Sequence, residues 1–438
     1  MLDKFLFKKI DNSALILFRI FFGILISLEC YGAIVTGWVR RTLVDPKFTF
    51  SFIHFEWLQP LPGNGMYWYF IIMGTLGLLI ALGYKYRFAI ITFTLMWTGV
   101  YLMQKTAYNN HYYLLILISL FMCFFPANRA YSIDSKLNPT IKTNAMPGYV
   151  KWAFVLQLFL VYTYASVAKL YGDWLDFSFI EILMQSKADY FLIGELLQQP
   201  WFQKFIGISG ILFDLLVIPV LLWKPTRNLA FVSSIFFHLF NSVVFQIGIF
   251  PYLSLAFIVF FYEPKTLRSI FFKKEKQGYG NNEIIIPSYK IPLLILGGIY
   301  FFIQLVLPLR HHLIKEDVLW TEEGHRMSWR MMLRSRGGTI QFNVVNKQTN
   351  KTARVDLNEY LSKAQKRKIG AYPDFIWQFA QRLKKEYAEK GEDVSVFAKS
   401  RVRINRRSLK PFIDPKVDLA NEPWNHFAHH EWILPEKD

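Results

Sequence analysis

Apolar runs long enough to cross a bilayer recur along this chain, and that repetition limits its fold more than any other feature. A hydrocarbon core of about 30 Å needs roughly 20 predominantly apolar residues at ~1.5 Å rise each. Segments at about 14–36, 67–83, 88–104, 110–126, 151–171, 205–223, 228–247, 249–263 and 291–309 meet or approach that length, some with tilt or partial burial. The eighth is short and follows the seventh through Gly248 and Pro251, so the pair reads as two spans or as one bent, re-entrant element. The expected fold is an all-α polytopic membrane bundle of about eight or nine transmembrane helices over residues 1–310.

The loops set the expected orientation, because Lys and Arg collect on the cytoplasmic side. With Lys4, Lys8 and Lys9 cytoplasmic, the later cytoplasmic loops carry four basic groups. These are Lys85 and Arg87; Arg129, Lys136 and Lys142; Lys224 and Arg227; and Lys265, Arg268, Lys273, Lys274 and Lys276. Opposite-side loops are poorer in these residues, Arg40 and Arg41 excepted. An odd number of spans then places everything after Arg310 on the non-cytoplasmic side; a miscount by one inverts it. The formal net charge of +18 is first of all this topology signal. No nucleic-acid-binding motif accompanies it, so nucleic acid is not an expected partner. Met1–Asp11 shows no signal-peptide cleavage pattern, and the first span is expected to be retained. The two cysteines, Cys30 and Cys123, lie in apolar segments, which excludes a disulfide framework and a cysteine-rich metal site.

Beyond Arg310 charged residues become frequent, and residues 311–438 read as a small α+β extramembrane domain. Thr339–Val345 and Ala353–Leu357 predict strands around a turn at Asn346–Lys351. Asn358–Lys368 and Phe375–Lys390 predict amphipathic helices, and Val394–Ile404 alternates like a strand. The mixed signs of its charges predict a solvated surface.

Ionisable side chains inside spans are costly, so each is a functional candidate. Lys169 lies in Tyr162-Thr-Tyr-Ala-Ser-Val-Ala-Lys-Leu-Tyr-Gly-Asp-Trp174, at the non-cytoplasmic end of the fifth span. Burial disfavours the ammonium form of a lysine and leaves an amine able to accept a proton. The alternative from position alone is a lysine snorkelling to the interface with Asp173 or Asp176 as its partner. Asn109, Asn110 and His111 open the fourth span at the same expected depth, as site groups or as helix caps. His238 and Asn241 share a face of the seventh helix, where an interhelical hydrogen bond is the plain alternative. Gln246 lies about one turn further on. Glu29, Asp214 and Glu56 have no partners identifiable from sequence. A phosphate loop, a His-Glu-x-x-His helix and a Gly-x-Ser-x-Gly elbow are all absent. His426, His429 and His430 read as an ordinary polar tail, His311 and His312 as membrane-exit residues, and no metal is expected.

The stretch Lys105-Thr-Ala-Tyr-Asn-Asn-His-Tyr-Tyr-Leu114, followed by Ala127-Asn128 and Ser132-Ile-Asp134, resembles the vitamin K-dependent gamma-glutamyl carboxylases. So do Lys169-Leu170 with Asp173-Trp174, and Phe237-His-Leu-Phe-Asn-Ser-Val-Val-Phe-Gln-Ile-Gly-Ile-Phe250. Ser328-Trp-Arg-Met-Met332 with Ser335-Arg336, and Phe412-Ile-Asp-Pro-Lys-Val-Asp418, extend the likeness in order from about Phe18 to Trp432. The resemblance implies that a neutral lysine amine deprotonates vitamin K hydroquinone (or menaquinol) in a site shielded from water. Oxygen then adds to give a strongly basic alkoxide, which removes a γ-hydrogen from a peptide or protein glutamate. The carbanion attacks carbon dioxide, giving γ-carboxyglutamate and the quinone epoxide, with no metal required.

By that likeness Lys169 matches the base, and His111 and Asn110 match groups that assist at the quinone oxygen. His238, Asn241 and Gln246 are expected around the quinol, and Trp329, Arg336 and Arg334 in the glutamate-binding region. Arg334 stands where animal members place a histidine, and Gln185 where they place an arginine. The long C-terminal region of animal members and their luminal cysteine pairing are not present in this sequence. These departures bear on substrate recognition more than on quinol oxidation. The short form is similar to bacterial members, which implies an inner-membrane protein with a cytoplasmic N-terminus and a periplasmic C-terminal domain. The alternatives are a quinol epoxidase or another carboxylase on the same scaffold, or a non-enzymatic membrane maturation factor.

Overall fold

A computed structural model describes residues 2–272, 279 and 283–436. Lys273, Lys274 and Lys276, counted among the cytoplasmic basic residues, lie outside the described residues. Each expected span is a helix. In chain order they are α1 (Ser13–Val35), α2 (Gly65–Leu82), α3 (Tyr86–Met103), α4 (Asn110–Phe124) and α5 (Gly148–Val167). There follow α6 (Pro200–Leu222), α7 (Arg227–Phe240), α8 (Phe250–Ala256) and α9 (Lys290–Val306). A π-helical turn, Asn241–Phe245, prolongs α7, and 3₁₀ turns prolong α8 to Phe261 and α9 to Leu313. Among the described residues six helices are long and apolar enough to cross a membrane unaided, with α4 and the α8 segment shorter. The short ones sit inside the bundle, where neighbours rather than lipid cover them. Phe18 of α1, for example, packs on Phe257 and Phe260. The α1–α2 crossing is backbone on backbone. A Cβ on Gly23 would stand 2.4 Å from the Ala81 nitrogen, so only glycine permits this approach.

The ends of the bundle are chemically distinct. At one end Asp11 pairs with Arg268 at 2.9 Å, Asp134 accepts from the Lys85 and Tyr86 amides, and Lys224 pairs with Glu263. The described basic loops therefore gather there. The α8 segment returns the chain to that end, from Phe250 beside His111 to Arg268 at Asp11. This return settles the Gly248–Pro251 pair: the turn joins two elements that run in opposite directions.

The extramembrane domain caps the other end. Strands β1 (Arg336–Asn346), β2 (Thr352–Arg354), β3 (Val394–Ile404) and β4 (Lys410–Pro411) form an antiparallel sheet of order β2-β1-β3-β4. Arg336 faces Ile404 and Asn346 faces Val394 across its central pair. Alternate β3 residues from Val394 to Ile404 point inward onto α11 (Pro373–Ala388), preceded by α10 (Lys363–Ile369). Phe375, Ile376, Phe379, Ala380 and Leu383 form the buried stripe of α11, continuous with Phe50 and Ala168 of the bundle. The junction also holds a buried ionic knot: Asp374 meets Lys105 at 2.7 Å and Arg326 at 2.7 and 3.2 Å. Burial alone would raise the Asp374 carboxyl, but the Arg326 and Lys105 charges outweigh it and hold it down at about 2.

Candidate functional site

Where the extramembrane domain meets the bundle, separate pieces of chain surround one cavity of about 1080 Å³. Tyr108 to His111 enter from the start of α4, Lys169 from just beyond α5, and Asp214 from α6. Asn241 enters from the π turn after α7, and His325 and Arg330 from the loop leading to β1. That volume is at the top of the ~300–1,000 Å³ usual for small-molecule sites.

The amine of Lys169 is buried, 7% exposed, and its environment differs from expectation. The Nζ donates to the Asp214 carboxylate and to the Gly210 carbonyl at 3.4 Å, and stands 5.4 Å over the Trp174 ring. Neither Asp173 nor Asp176 is its partner. Asp173 sits on a turn facing the extramembrane domain, where Arg407 and Asn405 hold it at 2.9 and 2.5 Å. Asp176 accepts from the Ser178 amide. The carboxylate comes instead from α6, packed alongside α5.

The imidazole of His111 faces the cavity without a protein hydrogen-bond partner among the described residues, 6.2 Å from the Phe250 ring. Gly248, at φ +63°, lets the chain turn across it; a Cβ there would stand 3.7 Å from Nε2. The helix cap of α4 is Asn109, which accepts from the Tyr112 amide at 2.8 Å. Asn110 is thereby left for another task. Its Oδ1 accepts from the Tyr108 hydroxyl at 2.8 Å, and its Nδ2 donates to the Arg330 carbonyl at 3.2 Å. Tyr108 in turn accepts from the Met327 amide at 2.6 Å. This chain of bonds ties the loop of the extramembrane domain to the start of α4.

Of the residues expected at the site, Lys169, His111, Asn110 and Asn241 line the cavity. The other five do not. His238 stands behind the wall, its Nε2 3.0 Å from the Tyr162 hydroxyl, and Tyr162 is the group that faces inward. The backbone from His238 to Asn241 is regularly helical, so the shared face expected for them is kept, but the His238 ring is taken up by Tyr162. Gln246 is turned outward to the Tyr190 hydroxyl at 3.2 Å. Trp329 is buried against Tyr113, ring centroids 5.1 Å apart. Arg334 and Arg336 both meet Glu322 inside the extramembrane domain, and Arg336 also donates to the Ala371 and Leu319 carbonyls. Gln185 is exposed beside Glu181.

Tyr162, His325 and Arg330 also line the cavity without having been assigned from sequence, and Asp214, a candidate whose partner the sequence did not identify, lines it beside Lys169. His325 is held neutral, its imidazole pushed down to about 3 by burial and then by the surrounding Arg330, Arg326 and Arg336 charges. The histidine tail is not simply polar surface. His429 and His430 place their Nδ1 atoms 2.7 and 2.8 Å from the Glu323 carboxylate, a clasp that closes the end of the domain. Among the described residues no group of three or more His, Cys, Asp or Glu is gathered to hold a metal ion.

The rest of the wall is apolar. Phe205 on α6, and Phe236 and Val243 on and after α7, line the cavity while remaining 60%, 72% and 60% exposed at the outer surface of the bundle. The cavity is thus bounded on one side by the exposed face of α6 and α7 and on another by the extramembrane loop. Residues 7–265 match the HTTM domain family model. Residues 289–438 match the model described as vitamin K-dependent gamma-carboxylase, lumenal domain. No solved structure matches the chain.

Proposed function

The chain belongs to the vitamin K-dependent gamma-carboxylase family, and from that premise we propose that it is a quinol-driven glutamyl carboxylase. Vitamin K hydroquinone, or menaquinol, is oxidised by O2 to the epoxide; the second oxygen atom leaves as water. A peptide glutamate loses its γ-hydrogen as a proton and gains CO2. The observation that carries this reading is the sharing of one largely apolar cavity by the Lys169 amine and the His111 imidazole.

Lys169 is the base that takes the quinol proton. Its partner makes this feasible in a low-dielectric site. Passing the ammonium proton to Asp214 leaves amine and carboxyl both uncharged, so a neutral amine appears without stranding a lone charge. His111 hydrogen-bonds a quinol oxygen, and Asn110 and Tyr108 position the loop that closes the cavity. The apolar wall excludes water that would quench a strong base or a carbanion. The quinol enters laterally between α6 and α7, and the peptide from the extramembrane side. Gathering of the basic loops at the opposite end supports a non-cytoplasmic, periplasmic orientation of this side in a bacterial inner membrane.

The test uses the purified full chain in nanodiscs. Label from bicarbonate should enter a glutamate-containing peptide only when reduced vitamin K and O2 are both present, with epoxide formed alongside. Epoxide without label would assign the same scaffold to quinol epoxidation alone. Neither product would remove the reading.

A further inference from the structure

Charge within the cavity is unbalanced. Among its described lining residues, the Asp, Glu, Lys and Arg side chains are Lys169, Asp214 and Arg330. The first two neutralise one another, which leaves the Arg330 guanidinium as a net positive charge on the wall. Its neighbours in sequence each meet a carboxylate away from the cavity: Arg326 meets Asp374, and Arg334 and Arg336 share Glu322. Arg330 forms no ion pair within 4 Å among the described residues, although the Asp317 charge acts on it from further away, and its Nε, like that of Arg334, is buried with no acceptor. Its one side-chain hydrogen bond runs from Nη1 to His311 Nε2 at 3.4 Å. That ring presents Nε2 as an acceptor, because its Nδ1 donates to the Pro308 carbonyl at 2.9 Å. A buried charged donor left unsatisfied is expensive, and a bound ligand is the usual remedy.

The backbone is arranged to deliver this side chain. Trp329 and Met332 adopt φ +58° and +50°, left-handed conformations uncommon for such residues. They turn Trp329 into the core against Tyr113 while Arg330 faces the cavity. The Arg330 carbonyl is fixed by Asn110, so its position relative to α4 is set from both sides of the junction.

We infer that Arg330 holds the carboxylate of the acceptor at the extramembrane end of the cavity, with the His325 imidazole beside it. This assignment rests on the carboxylase reading for the identity of the acceptor. A neutral quinol in the apolar end gives no role to a lone cation. A glutamate side chain arriving from the water side does, and a guanidinium receives a carboxylate through two parallel N–H···O bonds. Loss of the γ-proton spreads further negative charge onto that same carboxylate, so the contact strengthens as the carbanion forms. The two arginines expected to do this, Arg334 and Arg336, share Glu322 inside the domain and do not line the cavity.

The experiment is equilibrium binding of a fluorescent glutamate-containing peptide, and of its glutamine counterpart, to the full chain in nanodiscs. The unsubstituted chain should prefer the glutamate peptide by at least ~10-fold, and Arg330→Gln should reduce that preference to within about twofold. Arg330→Lys should keep an intermediate preference, which also covers the case that the glutamine variant fails to fold. Undiminished preference in Arg330→Gln, full preference in Arg330→Lys, or no preference in the unsubstituted chain would overturn the assignment. Because binding needs no turnover, failure of carboxylation with the preference intact would count against the reaction and not against Arg330.

Discussion

Lys169→Ala should destabilise the protein by ~3–5 kcal/mol, because it leaves the Asp214 carboxylate buried without its counter-charge. A lysine with no buried acidic partner would predict a variant that folds normally. The ion pair with Asp214 changes that expectation. Removing both charges with volume-matched apolar residues separates the two roles: Lys169→Met with Asp214→Leu should recover most of the lost stability, since replacing a whole buried pair is often neutral or better. The recovered protein should still make no epoxide. Denaturation in detergent followed by tryptophan fluorescence reads the first quantity. If the double variant is no more stable than Lys169→Ala, the pair is not the coupled unit described here.

Asp374→Asn should have an effect of similar size at the junction. The substitution strips the shared counter-ion from Lys105 and Arg326 and leaves two buried cations facing each other, at a cost of ~3–5 kcal/mol. An exposed pair such as Lys347–Asp393 supplies the contrast, with Asp393→Asn expected to change stability by less than ~1 kcal/mol. Acid should mimic the first substitution. The Asp374 carboxyl titrates at about 2 in the folded protein, below its usual 3.8. A carboxyl so depressed stabilises the fold fully above the unfolded value and ceases to do so as pH falls through the folded one. Docking of the extramembrane domain should therefore weaken between about pH 4 and pH 2, seen as accelerated proteolysis at the junction. Docking unaffected by Asp374→Asn across that range would contradict this account.

What the sequence disclosed follows from what constrains it locally. A bilayer demands long apolar runs, so every span was visible. The β3 strand was equally plain, because Val394 to Ile404 alternate between a buried and an exposed face. Partnerships between distant residues were not visible. Asp214 lies 45 positions from Lys169 and reaches it only through the way α6 packs beside α5. His238 looked like a site residue because it falls three positions from Asn241; its ring is instead taken up by the Tyr162 hydroxyl, 76 positions away in sequence. Arg334 and Arg336 looked available because nothing in their own stretch shows that both turn to Glu322 inside the domain. Arg330 stood in the same block, inside Ser328-Trp-Arg-Met-Met332, and only the turned backbone at Trp329 and Met332 distinguishes its direction.

The central claim is that the amine at residue 169 takes the quinol proton. It is tested most directly by measuring oxygen-dependent conversion of vitamin K hydroquinone to epoxide by the unsubstituted chain and by Lys169→Ala, each in nanodiscs at a temperature where both are folded. The predicted result is steady epoxide formation by the former and a loss of at least ~100-fold in the latter, the lower end of what a positioned general base contributes. Equal rates from the two proteins would mean that the proton leaves by another route.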